Sequence, residues 1–171
     1  MSSRRSHARR YAVLALYQWQ LTGQSPAEIG RHFFDDPAWV GEVADALAEL
    51  GDEGAAQAAD TAFDPTLFHG ILRGVPGHIE AIDARLEGAL DRPIAQITPV
   101  ELAILRMGTY ELLYSSDVPY RVVINEAVEL AKQFGADDTS HRYVNGVLDR
   151  VAREARTTEA NTGGAGGRRP A

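Results

Sequence analysis

Arg4, Arg5, Arg9 and Arg10 crowd the first ten residues of the chain, with no acid among them. A guanidinium is always charged, and its planar fork suits phosphate oxygens and the faces of bases. Tyr11 and Tyr17 follow, and a tyrosine ring is a platform on which an unpaired base can stack. If the segment is helical, Arg5 and Arg9 share one face, as do His7 and Arg10. Two more basic-aromatic groups occur later: Tyr120-Arg121, and His141-Arg142-Tyr143. Both fall at expected helix starts, where free backbone N–H groups favour phosphate. Contact with single-stranded nucleic acid by Arg4, Arg5, Arg9, Arg10, Tyr17, Tyr120, Arg142 and Tyr143 is one reading. A solvated start to the first helix, with Tyr17 in the core, is the other. Spacing alone does not bring the three groups together.

Other chemistry finds little support. The five histidines, His7, His32, His69, His78 and His141, show no H-E-x-x-H spacing and no carboxylate at a metal-ligand interval, so no metal site is expected. The chain has no cysteine, which excludes disulfides, thiolate zinc and a cysteine nucleophile, and fits a reducing cytoplasm. No Walker loop or G-x-G-x-x-G stands between a strand and a helix, so neither catalysis nor a cofactor is expected. No apolar run approaches the roughly 20 residues of a membrane span, and no secretory signal is evident. The net charge of −7 argues at first against a polyanion. Its distribution softens that, because the acids lie mostly in the body, as in Asp35-Asp36, Asp52-Glu53 and Asp137-Asp138. A basic arm on an acidic body can hold a polyanion locally while the body repels nonspecific contacts.

The elements that must position these residues are helices. Ser25-Pro26-Ala27-Glu28 and Thr98-Pro99-Val100-Glu101 both read as capping boxes with proline at the first helical position. Asp64-Pro65 and Pro119 mark further starts; Gly135 marks an end, after which Asp137 or Asp138 can cap the next helix. Apolar residues recur at helical period in Val13, Leu16, Tyr17 and Leu21, in Leu67, Phe68, Ile71, Leu72 and Val75, and in the stripes that begin at Leu102, Val123 and Val144. No segment alternates with period two, so no sheet is expected. Gly74-Val75-Pro76-Gly77 should kink a helix or split it into two that abut. Asn125 and Asn145 fall mid-helix, where asparagine is disfavoured, and Asn145-Gly146 suggests a close helix contact around a buried amide. Residues 35–60 predict a helix and a loose loop, and 157–171 a disordered tail. The expected organisation is a basic arm over 1–10 leading into the first helix, an all-α domain of six or so helices over 11–156, and a tail over 157–171.

The order of residues from Arg9 to Gln20, from Leu67 to Val75, from Glu101 to Leu112 and from Asp117 to Tyr120 resembles the bacterial NusB family. So do Asn125 to Gly135 and Tyr143 to Asp149, which are the most specific of these stretches. The likeness runs from about Arg4 to Arg153. It implies a compact all-α domain of two packed three-helix bundles without catalysis. It implies transcription antitermination through boxA, a single-stranded element of ribosomal RNA transcripts. The implied partners are the small-subunit ribosomal protein NusE and, beyond it, the other Nus factors and RNA polymerase. By position, Arg5 and Arg9 match the family's arginine-rich RNA contact, and Tyr17, Tyr120, Arg142 and Tyr143 its RNA face. Asp138 matches an acidic position beside that face, and Glu101 the surface that meets the ribosomal protein. Ser6 and His7 replace arginines common in the family, so tight RNA binding is expected to need the partner. Two alternatives stay open: a protein adaptor or homodimer that binds the ribosomal protein without RNA, and a NusB-like domain of an rRNA methyltransferase. The second lacks support, since the chain carries no Rossmann-like segment and no cysteine nucleophile.

Overall fold

The computed structural model describes residues 4–35, 64–134 and 139–156. Seven α-helices and one short 3-10 turn occur among them, and no strand. Helix α1 (Arg4–Thr22) ends where Gly23 turns into the left-handed region at φ +68°, which costs glycine least. Helix α2 (Pro26–Asp35) is capped by Ser25, whose Oγ accepts from the Glu28 N–H at 3.2 Å. Helix α3 (Pro65–Gly77) is capped by Asp64, whose Oδ1 accepts from the Leu67 N–H at 3.1 Å. Helix α4 (Ile79–Ala89) follows after His78 alone, so the run is two abutting helices, with Pro76 inside the last turn of α3. The 3-10 turn Ile94–Gln96 leads to α5 (Pro99–Tyr114), α6 (Tyr120–Phe134) and α7 (Ser140–Ala155).

One expected cap forms differently. Thr98 precedes α5 but makes no side-chain capping bond, and Glu101 turns away to accept from Ser140 Oγ at 2.6 Å. The residue that could have closed a local box instead ties α5 to α7. The expected loop within 35–60, the Asp137 or Asp138 cap and the tail lie outside the described residues.

Helices α1, α2 and α3 pack as one three-helix bundle and α5, α6 and α7 as the other, with α4 laid against α5 and α7. Tyr11, Phe33 and Phe68 interlock in the first bundle, with ring centroids 6.2 and 5.3 Å apart. Leu105, Leu112, Val123, Leu130, Val147 and Val151 fill the second. Helix α1 joins the two by packing on α5 as well as α3. Two close approaches fix how the helices cross. A Cβ at Gly74 would stand 2.2 Å from the Tyr110 ring, and one at Gly108 2.7 Å from Leu148. The far end of the second bundle is tied off by Arg156, buried at the close of α7. Its guanidinium donates to the carbonyls of Glu111, Leu112 and Ser115 at 2.8, 2.9 and 2.7 Å, and also to that of Val118. The last carbonyls of a helix lack intrahelical partners, and Arg156 supplies them.

Candidate nucleic-acid interface

Two pairs of contacts set the helix directions. Arg9 meets Glu111, and Gln20 Nε2 donates to the Pro99 carbonyl at 2.9 Å, so α1 runs antiparallel to α5. Ser140 meets Glu101 and Arg156 meets Glu111, so α7 runs parallel to α5. Helix α6 lies between them in sequence and runs antiparallel to both. The molecule therefore has two ends. One gathers Arg4, Arg5, the 115–118 turn, Tyr120 and Arg121. The other gathers Trp19, Asp91, Arg92, Glu101, Arg142 and Tyr143.

At the first end the basic arm is itself helix, since α1 starts at Arg4. Arg4 and Arg5 are exposed, and Arg5 Nη1 lies 3.9 Å from Asp64. Arg9 is 2% exposed, and its Nε donates to both oxygens of Glu111 at 3.0 and 3.1 Å. Its Nη1 lies 4.0 Å from Glu126, whose Oε1 also accepts from Ser6 Oγ at 2.7 Å. Arg10 is 4% exposed and lines a groove with Ser6, Asn125, Glu126 and Gln133. Of the four arginines expected to contact phosphate, Arg9 and Arg10 are thus buried in the free chain, Arg9 against Glu111 and Arg10 in the wall of the groove. A buried guanidinium needs acceptors for its N–H groups, and for Arg9 the Glu111 carboxylate supplies them from across the fold. Burial pushes the Glu111 carboxyl above its ordinary range, against the opposing pull of Arg9.

At the second end Tyr143 is half-buried, and its hydroxyl donates to Asp91 Oδ1 at 3.2 Å. The Arg92 guanidinium carbon sits 4.8 Å from its ring centroid, and Arg92 Nε donates to the same Asp91 oxygen at 3.0 Å. Burial raises the Tyr143 phenol, with the Asp91 charge adding to it; the Arg92 hydrogen bond lowers Asp91. Arg142 is exposed beside this cluster, and Glu101 is half-buried within reach of it. Arg92 and Asp91 went unread in the sequence, since neither lies in a basic-aromatic run. The signal available was the Asp91-Arg92-Pro93 turn between two helical stripes. Tyr17 is half-buried and packs against the core from α1.

Tyr120 does not join this group. It starts α6, where Arg121 Nε donates to its hydroxyl at 3.2 Å and its guanidinium lies 5.8 Å from the ring centre. That is the opposite end from Tyr143. The asparagine reading is also corrected: Asn125 and Asn145 are both exposed, so neither amide is buried in a helix contact. The close contact foreseen for Asn145-Gly146 is made by Gly108 and Leu148 instead. Asp138 lies outside the described residues.

Among the described residues no three His, Asp or Glu side chains gather in a way that could hold a metal ion, and no helix is long and apolar enough to cross a membrane.

Residues 6–153 match the model of the NusB family. The chain belongs to the NusB family. It is 46% identical over 159 residues to the transcription antitermination protein NusB of Nitrosococcus oceani, covering 93% of this chain and 92% of that one. It is 46% identical over 151 residues to the same protein of Alkalilimnicola ehrlichii, covering 87% and 81%. Among solved structures it is similar to antitermination factors NusB and NusE in complex with dsRNA. There the TM-score is 0.62 at 28% identity, over 90% of this chain and 99% of that one. It is also similar to T. maritima NusB, with TM-score 0.59 at 26% identity over 90% and 94%. The all-α fold of two three-helix bundles is that of the family.

Proposed function

We propose that the chain is an RNA-binding transcription antitermination factor, acting with the ribosomal protein NusE on the boxA element of ribosomal RNA transcripts. The observation that carries this reading is family membership over nearly the whole chain, including both ends of the bundle. The Tyr143, Arg92 and Arg142 cluster adds chemistry fit for the task. It presents an aromatic ring, a stacked guanidinium and an exposed cation at a helix start, which suits an unpaired base and its phosphate. Glu101, half-buried and held by Ser140, lies next to it on the side proposed for NusE. Assembly with other Nus factors and RNA polymerase, in the cytoplasm, completes the role.

The interior position of Arg9 changes what the arm can do. Arg4 and Arg5 remain as exposed cations, so the arm supplies about two phosphate contacts, with a log–log salt slope of roughly −1.4 at about −0.7 each. That is a weak hold for a chain of net charge −7. The chain alone should bind a boxA-like single strand weakly, and the complex with NusE much more tightly. A titration of the same RNA with chain, NusE and both, over a salt series, tests this. Equal affinity for the chain and the complex would overturn the shared site. Tight NusE binding with no RNA held by either species would favour a protein adaptor instead.

A further inference from the structure

Asn145 and Gly146 sit on the solvent side of α7, not in a helix contact. The same face presents Arg142, Arg150 and Arg153, all exposed. At 3.6 residues per turn, positions 142, 146, 150 and 153 fall on one stripe, with 145 and 149 along its edge. Helix α4 runs beside it. Arg150 Nε donates to the Ala89 carbonyl at 2.8 Å, and Arg85 Nη1 lies 3.7 Å from Glu154. Arg85 and Arg92 therefore border the stripe from α4. It ends in an arginine–tyrosine stack on either side: Arg92 over Tyr143 at the start of α7, and Arg121 over Tyr120 beside its end. The distance between them along α7, from Tyr143 to Arg153, is about 15 Å at 1.5 Å per residue.

The charge balance here is unlike that of the whole chain. The carboxylates paired with the stripe are Asp91, Asp149 and Glu154, against six arginines. Those pairs are exposed, and exposed pairs exchange readily for another anion. Gly146 leaves the floor of the stripe low, since a Cβ there would meet only Arg150 Nη1, at 3.8 Å. The Asn145 amide offers both donor and acceptor to a base edge or a ribose hydroxyl. An aromatic ring at each end asks for unstacked bases, which a duplex does not present.

We propose that single-stranded RNA runs along the solvent face of α7, from the Tyr143–Arg92 stack to the Tyr120–Arg121 stack. Its phosphates lie against Arg85, Arg142, Arg150 and Arg153, with Asn145 reading a base or sugar. This path rests on the RNA-binding reading above. It also explains how Tyr120 and Tyr143 can serve one ligand from opposite ends of the molecule.

The test uses the full chain with NusE and two single-stranded RNAs of one sequence, about 5 and about 14 nucleotides long, within the range of known single-strand sites. The variant is the double change Arg85→Gln and Arg153→Gln, both on exposed side chains. For the longer RNA the log–log salt slope should become shallower by about 1.4, two contacts at about 0.7 each. The shorter RNA also spans the path of about 15 Å and should show the same change, whereas Arg31→Gln with Arg73→Gln, on exposed side chains of the other bundle, should change neither slope. Asn145→Ala should weaken both RNAs. If the native complex binds the longer RNA and its slope is the same in the double variant, the path is overturned while the RNA-binding reading stands. A loss of NusE affinity with RNA binding intact would assign the face to protein and overturn the path as well. No RNA binding by the native complex would sink both.

Discussion

At the root of α1, Arg9 and Arg10 face inward; along α7, Arg142, Arg150 and Arg153 face outward. The residue type is the same and the sequence neighbourhoods look alike. What separates them is the company each finds after folding. Arg9 meets Glu111, itself 1% exposed, and Glu126 beside it, so its charge is matched and it can be buried. On α7, Arg153 meets Asp149 and Arg150 the Ala89 carbonyl, and with the exposed Arg142 they keep their charge in water. Whether a cluster of arginine is open to an anion therefore depends on the acceptors, carboxylate or carbonyl, that the fold offers its guanidinium groups.

The sharpest way to break this comparison is to remove Arg9. Losing one partner of a buried pair leaves an uncompensated charge, at a cost of about 3–5 kcal/mol. Arg9→Ala should lower the urea midpoint accordingly, whereas Arg142→Ala should leave it nearly unchanged. The double change Arg9→Met with Glu111→Leu should recover most of the loss, because packed apolar groups replace a buried pair at little cost. If Arg9→Ala is as stable as the native chain, Arg9 is not the strut described here.

Next in size is the Tyr143 stack. Tyr143→Ala should weaken RNA binding by about 1–3 kcal/mol, the usual worth of one stacked base, while Tyr143→Phe should keep it. The phenylalanine loses only the hydroxyl bond to Asp91, and the Arg92 contact to the ring survives. Thermal melting followed by circular dichroism separates the outcomes. Equal loss of affinity in both variants would mean that the hydroxyl, not the ring, matters.

The comparison also marks what could be read before folding. The helices are legible because their signals are local: Ser25 and Asp64 cap as their spacing predicts, and the break between α3 and α4 falls at His78, just past Gly74-Val75-Pro76-Gly77. The basic-aromatic groups were legible as groups. Their sides of the protein were not, because Arg9 finds its carboxylate 102 residues away. Asn145 misled for the same reason. Its helix position disfavours asparagine, yet whether the amide is buried depends on which face α6 and α5 cover. Thr98 misled differently: a locally adequate cap lost its glutamate to Ser140, a partner on another helix.

A smaller effect is expected from the exposed part of the arm. Arg4→Gln with Arg5→Gln should flatten the salt slope for RNA by about 1.4 and weaken every sequence alike, since phosphate contacts carry no sequence information. Fluorescence anisotropy over a salt series reads this directly. Melting temperature should hardly move, because Arg5 makes one loose surface pair with Asp64 and such pairs contribute little. If the further change Arg10→Gln flattens the slope again, Arg10 leaves the interior when RNA binds, and the two arginine clusters then differ less than they do in the free protein.

The smallest effect expected is in the pH dependence of stability, and it has an unusual sign. Most paired carboxylates have a depressed folded pKa and lose stability as the pH falls. Burial raises the Glu111 carboxyl instead, by more than Arg9 lowers it. The folded state then holds this proton at a pH where the unfolded chain has released it. Stability from this group is greatest below the ordinary carboxylate value and declines as pH rises through the window between that value and the raised one. Other carboxylates pull the opposite way, so the sign shows only in a difference. Measured by urea unfolding from neutral pH down to about 4.5, near the ordinary carboxylate value, the native chain should gain on Glu111→Gln as the pH falls, because the amide cannot titrate. If the difference stays flat or reverses, the Arg9 charge outweighs the burial of Glu111, and the interior pair is closer in character to the exposed pairs of α7 than its position suggests.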